Sequence, residues 1–178
     1  LEIGAGTGLN LPYYPAAARV TFTEPDPHMA KRLRRRGAEV VEAEAESLPF
    51  ADGAFDAVVS TLVLCTVGDV QATLREIRRV LRPGGVLLFL EHVRAPAGSS
   101  LERWQDRLHG PWRTFAGGCH CNRDLLSELA RSSFAAEAES RDWRFMPAIV
   151  RPVLVGRARP TGVLREVVEA DLPAFYEY

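Results

Sequence analysis

Short apolar runs of strand length alternate along this chain with segments in which apolar residues return every three or four positions. The strand-like runs fall near residues 20–23, 39–42, 56–60 and 86–91, each bounded by turn-forming or charged residues. Between the last two, Asp69 is placed to cap a helix whose Val70, Leu74, Ile77 and Leu81 form one apolar stripe, ended by Pro83 and Gly84. Asn122 is read in the same way as the cap of a helix that turns Leu125, Leu126 and Leu129 inward. Two further strands are expected near 135–141 and 153–158. Strands alternating with helices predict an α/β fold, a parallel sheet with helices on both faces. Beyond residue 160, Val163, Leu164, Val167 and Val168 have the spacing of a short amphipathic helix, which could dock on the domain or on a second copy of the chain.

The opening segment, Leu1-Glu2-Ile3-Gly4-Ala5-Gly6-Thr7-Gly8, runs an apolar strand end straight into alternating glycines, and Glu24 ends the next strand-like run. Alternating glycines let the backbone turn sharply without side chains in the way of a ligand, and a helix following them would present free N–H groups to it. A carboxylate one strand away offers lone pairs matched to the two hydroxyls of a ribose. Together these features predict an adenosine-bearing cofactor. Dinucleotide binders space their glycines as G-x-G-x-x-G; here the third glycine comes one residue early.

Further along stand Val40-Val41-Glu42-Ala43-Glu44-Ala45-Glu46-Ser47-Leu48-Pro49-Phe50, then Asp52-Gly53, the run Phe55 to Ser60, and Arg82-Pro83-Gly84-Gly85 leading into Val86 to His92. With this order of motifs the sequence resembles class I S-adenosylmethionine-dependent methyltransferases, in the branch of the thiol S-methyltransferases and the quinone-biosynthesis C-methyltransferases. The likeness extends to about Arg159, which sets off residues 160–178 as a C-terminal extension to a methyltransferase domain at 1–159. It implies a Rossmann-like, mostly parallel twisted sheet whose last two strands form an antiparallel hairpin at the edge, and S-adenosylmethionine as cofactor. By the same resemblance Glu2, Gly4, Gly6 and Gly8 surround the methionine part of the cofactor and Glu24 holds the ribose. Asp26 and Met29 would flank ribose and adenine. Glu44 stands where relatives carry an aspartate for the adenine amino group, and Ala45 offers its N–H to the ring. Ser60, Thr61 and Leu62 would line the methionine chain and the transferable methyl. The chain begins without methionine where a strand is already ending, so a preceding segment is expected. Relatives carry there a helical segment that helps to cover cofactor and acceptor and, in microsomal thiol-methylating members, anchors the protein to the membrane.

With 178 residues and 47% hydrophobic content the chain suits one domain with a sizeable core. A net charge of −1 gives no bulk attraction for nucleic acid or an anionic membrane, so nucleic acid is not the expected substrate, and the resemblance implies a small-molecule acceptor. No apolar run approaches the roughly twenty residues that span a bilayer. Three cysteines without framework spacing argue for a reducing compartment, by default the cytoplasm. The basic run Lys31 to Arg36 reads as the solvated face of a helix. A homodimer is left open.

The segment after residue 92 is where this branch would build its acceptor pocket. Leu101, Trp104 and Leu108 share one face of an expected helix, and Trp112 leads on to Phe115-Ala116-Gly117-Gly118-Cys119-His120-Cys121-Asn122-Arg123. Trp104 and Trp112 read as either core or pocket lining. Cys119-His120-Cys121 lacks the paired C-x-x-C spacing of structural zinc, so no metal is expected. A sulfonium methyl is already activated, and the protein must align an acceptor with it and exclude water. His92, at the carboxyl end of a strand, is the leading base candidate, and His120 the second. The expected reaction is methyl transfer to a small apolar acceptor, a thiol ahead of a quinol or phenol. The alternatives are a non-catalytic cofactor-binding module and, on a different cofactor, a nicotinamide-dependent oxidoreductase.

Overall fold

A computed structural model describes residues 1–162. The expected amphipathic helix beyond residue 160 falls outside them. Seven strands form one sheet: β1 (Glu2–Ile3), β2 (Phe22–Thr23), β3 (Val40–Val41), β4 (Phe55–Thr61), β5 (Leu81–His92), β6 (Phe134–Asp142) and β7 (Pro152–Pro160). Their spatial order is β3-β2-β1-β4-β5-β7-β6. The first five are parallel, and β7 runs antiparallel to both neighbours, so β6 and β7 make the edge hairpin. The helices are α1 (Pro27–Arg34), α2 (Val70–Val80), α3 (Ser100–Phe115) and α4 (Leu125–Arg131), with 3-10 turns at Leu11–Tyr13 and Ala148–Val150. The order reverses between β1 and β4, and at such a switch point a doubly wound sheet opens a crevice at the carboxyl ends of its strands.

The strands were expected near where they lie, and the departures are local. Asp69 caps α2 by accepting the Ala72 N–H, and Val70, Leu74 and Ile77 are buried. Leu81 leaves the helical stripe: it turns extended at ψ 134° and opens β5, because Pro83 disfavours a helical Arg82 and the chain is already unwinding ahead of it. The cap of α4 is Asp124, which accepts the Ser127 N–H, whereas Asn122 donates its side-chain amide to Asp106. Moving the helix start turns Leu126 outward, 47% exposed, while Leu125 and Leu129 stay buried. After the glycines the chain forms a 3-10 turn rather than an α-helix, because Pro12 and Pro15 lack the N–H groups that a longer helix would use. On α1 the arginines face solvent, and Arg36 just beyond it bonds the carbonyls of Thr7 and Gly8.

Candidate active site

The three glycines of the first turn all have positive φ: 55° at Gly4, 57° at Gly6 and 79° at Gly8. Their surroundings separate their roles. A Cβ on Gly4 would lie 2.6 Å from a methyl of Val63, and one on Gly8 2.3 Å from a methyl of Leu33, so these two are small for packing. A Cβ on Gly6 would meet nothing within 4 Å. Backbone facing open space with no side chain is the shape that lets a ligand approach closely.

Glu24, buried at the end of β2, borders the same turn. One carboxylate oxygen accepts the Gly6 N–H at 2.7 Å and the other the Asp26 N–H at 3.0 Å. Each oxygen keeps a lone pair for a further donor. Asp26 caps α1, accepting the N–H groups of His28 and Met29, which hold its carboxyl below the usual range. Met29 is exposed on the first turn of α1. On the other side of the glycines, Glu2 is buried and accepts from the Asn10 side-chain amide and the Tyr14 hydroxyl, and burial raises its carboxyl. Asn10 also bonds Thr61 Oγ1 at 3.0 Å, joining the first turn to the end of β4. Leu62 follows at φ 58°, a left-handed conformation uncommon for a side-chain-bearing residue. Such a backbone persists where the surroundings hold it, and here the Leu62 N–H is bonded to the Leu90 carbonyl. In the loop after β3, Ala45 is buried and Glu44 exposed, while Glu46 accepts the N–H groups of Gly68 and Asp69. The open face of Gly6 and the ribose-matched carboxylate of Glu24 fit an adenosyl sulfonium cofactor.

At the carboxyl ends of β4 and β5 a second group of side chains meets. Glu91, fully buried, accepts Ser60 Oγ at 2.6 Å and the N–H groups of Val63 and Cys65, each at 3.0 Å. Burial raises its carboxyl, and these donors work against that rise. The loop they shape brings Cys65 to His92, whose Nδ1 lies 3.9 Å from the Cys65 sulfur and 3.7 Å from that of Cys119. The two sulfurs lie within 4.8 Å of each other, and this proximity lowers the Cys119 thiol and raises that of Cys65, which is more deeply buried. His92 Nε2 and Trp112 Nε1 are buried without a hydrogen-bond partner among the described residues. His120 stands apart from His92, its ring bonded to His109 at 3.0 Å, and burial, with Arg123 nearby, favours its neutral form.

Helix α3 supports this group with a face that runs through Leu101 and Gln105, turned by about one residue from the one that Trp104 occupies. Trp104 is 53% exposed and Leu108 is exposed as well, so Trp104 is not a core residue. The buried residue of α3 is Gln105, which accepts the Ala95 N–H and donates to the carbonyls of Val93, Cys121 and Ile149. Arg123 reaches the carbonyls of Leu64 and Val67, fastening the cysteine turn to the loop after β4. Asn10, Tyr14, Cys65, Glu91 and Gln105 were not picked out from sequence. Glu91 carries a usable signal, a carboxylate ending an apolar strand. For the others the partners lie too far along the chain to be read.

The methyltransferase domain family matches residues 1–89, half of the chain. Human thiol S-methyltransferase TMT1B is 39% identical over 170 residues, covering 89% of this chain and 69% of the relative. The demethylmenaquinone methyltransferase of Thermus thermophilus is 40% identical over 108 residues, covering 56% of this chain and 49% of the relative. Among solved structures, a SAM-dependent methyltransferase from Thermotoga maritima, described as a possible histamine N-methyltransferase, superposes with a TM-score of 0.66 at 25% identity, over 88% of this chain and 79% of that one. With a glycine turn open at Gly6 and an acid on the neighbouring strand, the chain belongs to this family and is an S-adenosylmethionine-dependent methyltransferase.

Proposed function

We propose that the acceptor is the thiol of a small, apolar molecule. The observation that carries this reading is the 170-residue match to a thiol S-methyltransferase, which runs past residue 89 into the segment where the acceptor would bind. The bound cofactor supplies an electrophilic methyl group on a sulfonium. Gly6 and Glu24 then act on its adenosine and methionine parts, with Glu2 and Asn10 holding the turn. Gly4 and Gly8 keep the turn packed, and Asp26, Met29, Glu44, Ala45, Thr61 and Leu62 complete the cofactor surface. The acceptor approaches from the end of β5, where the chain must take up or release the thiol's proton. We assign that task to the site around His92, whose unpartnered Nε2 has capacity for one more contact. His120, already paired with His109, is the weaker candidate.

We place the catalytic unit at residues 1–159 and the protein in a reducing compartment such as the cytoplasm. The three buried free cysteines support this, and among the described residues no helix is long and apolar enough to cross a membrane. The match to a demethylmenaquinone methyltransferase favours a quinol ring as the second reading. Transfer of label from methyl-labelled S-adenosylmethionine to a panel of thiols, quinols and phenols separates the two. Labelled thioether is the expected product; labelled ring carbon or ether, with thiols inert, would replace the thiol reading.

A further inference from the structure

The Cys65, His92 and Cys119 side chains come from three separate segments, and their ligand-type atoms all lie within 4.8 Å of one another, each residue buried. Around a tetrahedral zinc ion, bond lengths of about 2.3 Å to sulfur and 2.0 Å to nitrogen put sulfur and nitrogen roughly 3.6 Å apart. The observed separations of 3.7 and 3.9 Å are close to that edge. Two thiols and an imidazole are the donors that select soft or borderline ions, and a set of three leaves a fourth position free.

The surroundings hold these atoms in place. Glu91 fixes the loop carrying Cys65 through the Val63 and Cys65 amides. The His120 N–H bonds the Cys65 carbonyl at 2.6 Å, so the turn carrying Cys119 is stitched to that loop. Arg123 adds bonds to the carbonyls of Leu64 and Val67. Gln105 bonds the carbonyls of Val93 and Cys121, next to His92 and two residues past Cys119. These bonds fix the backbone segments that carry the three side chains.

We propose that Cys65, His92 Nδ1 and Cys119 hold one thiophilic divalent ion, zinc in the first instance, whose free position takes the acceptor sulfur. This rests on the thiol reading and deepens it. Binding to the ion releases the acceptor's proton to solvent and keeps its sulfur as thiolate. The thiolate's electron pair forms the new sulfur–methyl bond as the methyl–sulfonium bond breaks, its pair remaining on S-adenosylhomocysteine, and the neutral thioether leaves. The site around His92 thereby frees the acceptor of its proton through the ion, with His92 Nδ1 as one of the ligands.

The test is cobalt(II) chloride titrated into the reduced, metal-stripped protein, with zinc content of the untreated protein measured in parallel. One equivalent of cobalt should bind with a near-ultraviolet thiolate-to-metal band. Cys65→Ser and Cys119→Ser should each roughly halve that band, His92→Ala should weaken binding at least tenfold, and Cys121→Ser should leave the spectrum unchanged. Near-ultraviolet circular dichroism checks that each variant is folded. No band in the folded wild type overturns the site, as does a Cys65–Cys119 disulfide in protein purified without oxidant, or a band lost in Cys121→Ser and kept in Cys119→Ser. A band in a protein that methylates quinols and no thiol upholds the ion while defeating the thiol reading. Full thiol methylation by metal-free enzyme does the reverse.

Discussion

Gly6 donates its N–H to Glu24 at 2.7 Å, so the glycine that borders open space and the acid expected on the ribose form one unit. Removing the carboxylate takes away the anchor of the turn together with the contact proposed to the cofactor. Hydrogen bonds to charged groups contribute about 1.5–3 kcal/mol, which corresponds to roughly 10- to 150-fold in affinity. Glu24→Ala should weaken S-adenosylhomocysteine binding by that range in a calorimetric titration. An unchanged Kd would take Glu24 out of the cofactor site.

The glycines offer a sharper comparison. Gly6→Ala and Gly8→Ala both force a side chain into a left-handed backbone, at about 1–2 kcal/mol each. At Gly8 the new methyl also overlaps Leu33, whereas at Gly6 it enters open space. Gly8→Ala should therefore show the larger fall in thermal midpoint, and Gly6→Ala the larger loss of cofactor affinity relative to its loss of stability. If Gly6→Ala binds S-adenosylhomocysteine as tightly as the wild type, the cofactor does not lie over that face.

Much of this was legible in the sequence because it is local. Glycine spacing, the acid ending the next strand and the period of α2 are each written within about ten consecutive residues. What escaped depended on long-range partners. The glutamine at 105 sits among charged residues, and nothing nearby says that its face of α3, rather than that of Trp104, is the buried one. Cys65, His92 and Cys119 are separated by 27 residues at each step, so the adjacent Cys119-His120-Cys121 drew attention although His120 turns instead to His109. The α4 cap slipped by two residues because Asn122 and Asp124 are both good caps and a salt-bridged neighbour, Asp106, claims the first.

Gln105 gives a stability prediction. Its amide group makes four hydrogen bonds in a fully buried position, and Gln105→Leu would leave one N–H and three carbonyls to find other partners. Each unsatisfied buried group costs about 1–3 kcal/mol, part of which relaxation recovers, so a net loss of about 3 kcal/mol is expected. Urea denaturation should show a lowered midpoint with an unchanged slope. A loss below about 0.5 kcal/mol, the size of a typical surface substitution, would mean that α3 is not fastened through this residue.

The same helix is held on its outer side by charge. Arg94 pairs with Glu102 and Asp106, and Asp106 also accepts the Asn122 amide. The Asn122 and Arg94 contacts hold Asp106 below the ordinary carboxylate range, and Arg94 with the Gly98 N–H does the same for Glu102. A depressed folded pKa means that the unfolded chain binds protons first, so the stabilisation is present above the ordinary carboxyl range and is lost as pH falls through the folded values. Asp106 is exposed and Glu102 only partly so, and the contribution is modest and screened by salt. Thermal midpoints measured from about pH 6 down to about pH 3, spanning the ordinary carboxyl pKa values, should fall more steeply for the wild type than for Arg94→Met, and the gap should narrow in high salt. Parallel curves would show that Arg94 holds α3 through packing of its stem alone, because a charge pair must lose its contribution when its acid is protonated and an aliphatic contact does not.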